Sequence, residues 1–92
     1  MSTLGEKMES MPPAEREIIL RILGASKAED DPLLSADLFW SALVLAFGIQ
    51  EKEKPKVLAI LRRAAGMHRD PAVADGLLWA AAELERMWGG SA

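Results

Sequence analysis

The stretch Leu33–Ile49, LLSADLFWSALVLAFGI, is the most apolar part of the chain and constrains its fold more than any other. It carries a single charge, Asp37. Its wealth of Leu and Ala, with few β-branched residues, predicts a helix and argues against a strand. Each helical residue turns by about 100°. That rotation puts Leu34, Leu38, Ala42, Leu45 and Ile49 on one face and Trp40, Leu43, Val44 and Phe47 on the opposite face. An ordinary surface helix has one apolar stripe, turned to the core. Two stripes need two coverings: the chain's own core on one side and, on the other, more of the same chain, a second copy or a partner.

A membrane span is the competing reading of the stretch. It is short for a hydrocarbon layer of about 30 Å, and it would place Asp37 inside that layer. Its flanks, Glu29-Asp30-Asp31 and Glu51 to Lys54, lack the one-sided basic bias of a span. The N-terminus has no basic region of the kind that opens a signal peptide. A buried helix in a cytoplasmic protein is the expectation. The absence of cysteine removes disulfides, thiol nucleophiles and thiolate metal sites, and is compatible with that compartment.

Proline and glycine divide the remaining chain. Residues 1–12 carry Ser, Gly, Lys and Glu and are expected to be a flexible segment. Pro13 suits a first helical position and opens a helix to about Leu23, with Ile18, Ile19, Ile22 and Leu23 as its buried stripe, Arg16, Glu17 and Arg21 toward water and Gly24 as its stop. Asp31-Pro32 starts the apolar helix with a capping carboxylate, and Gly48 is its natural terminator. Pro55 opens a third helix, which ends near Ala65 before Gly66. Asp70-Pro71 opens a fourth, which runs to about Trp88 on a core face of Val73, Leu77, Ala81, Leu84 and Trp88. The single domain therefore spans 13–88, and 89–92 is expected to be a flexible tail.

Slid along itself, the chain matches at one offset without gaps. Asp31-Pro32 falls on Asp70-Pro71, Leu38 on Leu77, Trp40 on Trp79, Ala42 on Ala81 and Leu45 on Leu84. Further back, Ile18 falls on Val57, Ile19 on Leu58 and Ile22 on Leu61. The unit is a pair of helices joined by a turn before Asp-Pro, and its period of about 39 residues is in the range of helical-hairpin repeats. In period and layout, residues 13–88 resemble such repeats of the HEAT or TPR type, including the TPR-like chaperones of bacterial secretion systems. The resemblance implies an all-α interaction protein. The TPR consensus signatures are absent, so it carries over no binding residues. An isolated solenoid needs about three repeats; two units are expected to close face to face as a compact four-helix bundle or to dimerise.

Trp79 sits with Asp75, Glu83 and Arg86 on the charged face of the fourth helix. An aromatic with a polar rim is a contact anchor in pattern, and a ring laid over a neighbouring helix is the plainer alternative. Its counterpart Trp40 has Val44 and Phe47 beside it, which favours burial in the bundle or at a dimer seam. Lys52, Lys54, Lys56, Arg62, Arg63 and Arg69 cluster with only Glu53 opposing them. A basic run of this kind can contact phosphates, but no aromatic interleaves it and the net charge is −3, so a solvated face is the better expectation. His68 is the only histidine, and Asp70 is best explained as a cap, which leaves no catalytic or metal constellation. No phosphate-binding glycine loop or hydrolase motif is present.

The sequence thus predicts four helices as two hairpins, without a cofactor or metal. The expected function is a non-enzymatic protein-interaction module, such as an adaptor, chaperone-like or regulatory subunit. It would act as a homodimer or in a hetero-complex, through Trp79, Asp75, Glu83, Arg86, Trp40 and Phe47. The alternative is an accessory nucleic-acid-binding protein using residues 52–69.

Overall fold

The computed structural model describes residues 3–89, and every regular element among them is helical. A short helix α1 (Leu4–Glu9) precedes four long ones: α2 (Pro13–Ala28), α3 (Pro32–Phe47), α4 (Lys54–Met67) and α5 (Pro71–Met87). A 3-10 turn, Glu51–Glu53, leads into α4. Each long helix has a proline in its first turn, where the missing N–H leaves no bond unmade. At the two repeated starts the caps are the same. Asp31 accepts from the Leu33 N–H at 3.0 Å, and Asp70 accepts from the Ala72 N–H at 2.9 Å. Gly48, at φ 121°, ends α3 in a conformation that L side chains avoid.

Two helices run further than their glycines suggest. α2 passes Gly24 and continues to Ala28; α4 passes Gly66 to Met67. The extra turn of α2 is held by packing. Ala25 and Ser26 are buried, the Ser26 hydroxyl donates to the Ser35 carbonyl, and the Ser35 hydroxyl donates back to the Ser26 carbonyl, each at 2.8 Å. Tertiary contact outweighs the weak helix propensity of one glycine. The connection to α3 is therefore confined to Glu29-Asp30 and the capping Asp31.

The N-terminal segment, expected to be flexible, contains α1. A capping box starts it: the Glu6 N–H donates to the Thr3 hydroxyl at 3.1 Å, and the Thr3 N–H donates to the Glu6 carboxylate at 3.3 Å. Leu4, Met8 and Met11 pack against the core. Arg16, expected to face water, instead donates to the carbonyls of Met8 and Met11 at 2.9 and 3.1 Å and ties α1 to α2. Met1 and Ser2 lie outside the described residues. So do Gly90, Ser91 and Ala92, on which most of the expected tail falls.

The long helices form a closed ring, with α2 against α3 and α5, and α4 against α5 and α3. The two hairpins thus close face to face, and the offset seen in the sequence becomes an approximate two-fold relation between them. Buried Ile18, Ile22, Ala25 and Ser26 of α2 correspond to buried Val57, Leu61, Ala64 and Ala65 of α4. Leu38, Ser41 and Ala42 of α3 correspond to Leu77, Ala80 and Ala81 of α5, and all six are buried. Ser41, a hydroxyl where α5 has Ala80, is satisfied by the Asp37 carbonyl one turn back at 2.9 Å. Among the described residues no helix is long and apolar enough to cross a membrane.

Candidate interaction surface

α3 buries one of its two apolar faces in the ring: Leu34, Leu38 and Ala42 are fully enclosed. α1 packs against the same helix. The Lys7 ammonium of α1 lies 5.8 Å from the centre of the Phe47 ring, so the C-terminal end of the second face has a partial cover. The rest of that face is only partly covered, with Trp40 and Val44 packed against the edge of the core. Leu33 is 78% exposed, Phe39 46% and Phe47 49%, with Leu43 and Val44 half-buried between them. Ala36, Phe39, Trp40, Leu43 and Phe47 follow the three-and-four spacing of one helical stripe. Asp37 remains its only charge.

Trp40, expected to be buried, is partly so. It packs at the edge of the core, and the Lys56 ammonium of α4 stands 4.6 Å from its ring centre. Trp79 occupies the matching place on α5 and is 37% exposed. The Arg21 guanidinium of α2 stacks on it at 4.7 Å. Gly76, one turn earlier, lies beside that crossing; a Cβ there would meet an Arg21 terminal nitrogen in ordinary contact at 3.4 Å. Arg21 also pairs with Glu17 at 3.4 Å. Each tryptophan thus receives a cation from the first helix of the opposite hairpin. Such contacts contribute about 0.5–1 kcal/mol at exposed sites.

The expected rim of Trp79 lies on the same helix. Arg86 donates twice to the Glu83 carboxylate, at 3.0 and 3.1 Å. This bonding holds the Glu83 carboxyl below its usual range and raises Arg86. Asp75 is exposed. The cation on the Trp79 ring itself is Arg21, a residue the sequence assigns only to water. The six predicted contact residues do not converge. Trp40 and Phe47 lie on α3, whereas Trp79, Asp75, Glu83 and Arg86 lie on α5, at the opposite corner of the ring. Sequence reasoning missed Phe39 and Leu33, although their spacing from Leu43 and Ala36 carries the signal.

The basic run is largely occupied within the molecule. Lys54 pairs with Glu51 at 2.6 Å and lies 5.3 Å from the Trp88 ring centre; Lys56 covers Trp40; Arg62 pairs with Glu85. Lys52, Arg63 and Arg69 are exposed and make no ion pair among the described residues, but three scattered charges are no continuous stripe for phosphates. His68 lies where the two hairpin turns meet, beside Glu29, Asp30, Asp31 and Asp70. Its Nδ1 accepts from the Asp70 N–H at 3.2 Å, and among the described residues no group of three metal-ligating side chains forms.

These features define the class: a four-helix bundle of two equivalent hairpins, with one apolar, aromatic helix face left largely uncovered by the described residues. No protein-family model matches the chain, and no curated protein or solved structure matches it.

Proposed function

We propose that the protein is a non-enzymatic interaction module whose contact surface is the outer face of α3. The observation that carries this reading is the exposure of Leu33, Phe39 and Phe47 on a helix whose only charge is Asp37. An apolar stripe of that length on a small domain lowers its free energy by finding a protein cover. Phe39, Trp40 and Phe47 are the residue types that concentrate binding energy. The cover is a second copy or another protein, which makes the chain an adaptor, chaperone-like or regulatory subunit in a cytoplasmic assembly. Trp79, with Asp75, Glu83 and Arg86, forms a second contact patch on the far side, smaller and more polar.

Paired substitution of Phe39→Glu and Phe47→Glu tests this. Both rings are half-exposed, so the fold should lose little, about 1 kcal/mol per site. At micromolar concentration the wild type is expected to sediment as a dimer or with a retained partner, and the variant as a free monomer. A monomeric wild type that retains no protein would contradict the proposal, as would a variant that assembles like the wild type.

A further inference from the structure

A cleft of about 150 Å³ opens where α3 and α5 end. Ile18, Ile19 and Leu84 are buried side chains at its base, Ile49 and Trp88 form walls, and Glu15 is the only charged residue among the described ones that line it. Glu15 has no ion-pair partner among the described residues. Its place in the first turn of α2 suits a carboxylate, because the helix N-terminus is electropositive. That explains the charge but not the apolar cleft beside it.

The internal duplication supplies a comparison. At the offset that lays Asp31-Pro32 on Asp70-Pro71, Glu15 falls on Lys54, Ile18 on Val57, Leu45 on Leu84 and Ile49 on Trp88. On the α4 side, the Lys54 ammonium stands 5.3 Å from the centre of the Trp88 ring, so a long cationic side chain and an indole occupy that place together. On the α2 side, an aliphatic side chain stands where the indole would be, and a carboxylate stands where the cation would be. The cleft lies at this place, lined by Glu15 and Ile49.

We propose that the cleft docks a lysine side chain of a partner protein. Its methylenes would lie against Ile18, Ile19 and Ile49, and its ammonium would meet the Glu15 carboxylate. The arrangement would mirror Lys54 on Trp88, with the cation supplied from outside. The volume is well under the roughly 300–1,000 Å³ of small-molecule sites and suits one side chain. A lone carboxylate beside apolar walls selects a cation with an aliphatic stem and rejects an anion. The site lies at the end of the bundle, away from the outer face of α3, and stands or falls independently of docking there.

Amide chemical-shift mapping of the whole chain with n-butylammonium, the lysine side-chain analogue, tests the proposal. Butyrate is the control of opposite charge. Saturable shifts are expected at Glu15, Ile19, Ile49 and Met87 with butylammonium and not with butyrate. Glu15→Gln should weaken the interaction about tenfold. Ile49→Trp, which installs the ring present at the equivalent position, should strengthen it, because the ammonium would then lie on an indole as Lys54 does on Trp88. If Ile49→Trp does not fold, Glu15→Gln decides alone. Shifts that do not saturate, that are equal with butyrate, that gather on the outer face of α3, or that persist unchanged in Glu15→Gln would each overturn the proposal.

Discussion

Trp79 concentrates what is distinctive at the scale of single residues. It leaves the core stripe of α5, yet it is not bare, because Arg21 of α2 stacks on it. Little core volume depends on the ring. Trp79→Ala should therefore destabilise the fold by only about 1–2 kcal/mol, including the lost cation–ring contact. If the α5 patch is a contact, the same change should weaken association by about 2 kcal/mol, or roughly thirtyfold. Thermal unfolding and binding affinity measured on this one variant separate the two roles. Global unfolding would make Trp79 a core residue. A variant unchanged in both would confine contact to α3. The aromatic of this face was legible from the helical wheel. Its cation was not, because Arg21 is distant in the chain and meets the ring only through the packing of α2 on α5.

At the scale of elements, what the sequence made plain is what local chemistry determines. Asp31 and Asp70 cap their helices as their Asp-Pro pairs predict, and Gly48 ends α3 at positive φ. The elements that went unrecognised depend on distant contacts or on a short signal. Gly24 reads as a stop, but α2 continues because Ser26 and Ser35 bond to each other across the turn. The Thr3–Glu6 spacing of α1 is a capping-box signature, yet so short a helix cannot stand without Leu4, Met8 and the Arg16 clamp. Gly24 offers a direct check. It lies inside a helix, and a Cβ there meets nothing within 4 Å. Gly24→Ala should raise stability by about 0.5–1 kcal/mol in chemical denaturation, since alanine has the higher helix propensity and loses less backbone entropy on folding. A loss of stability would place Gly24 in a left-handed terminating conformation and end α2 there.

For the molecule as a whole, the governing fact is that two matching hairpins satisfy the interior and leave the exterior unequal. The two hairpins supply matching buried residues to one ring, so the core needs no third repeat. Outside, the halves diverge: α3 presents Phe39, Leu43 and Phe47 where α5 presents Leu78, Ala82 and Arg86. The first hairpin therefore carries the larger aromatic face and the second a smaller one interrupted by charge. The sequence already held this contrast, in the two stripes of Leu33–Ile49. It could not say which stripe would be enclosed, because that depends on how the hairpins close. The proposed function rests on the open stripe being covered by protein in the cell. Photo-cross-linking in the living source cell probes that cover, with p-benzoylphenylalanine placed at Phe39 and, as a control, at exposed Arg63 of α4. A discrete protein adduct is expected from position 39 and none from position 63. Monomer alone from position 39, or the same adducts from both positions, would contradict it.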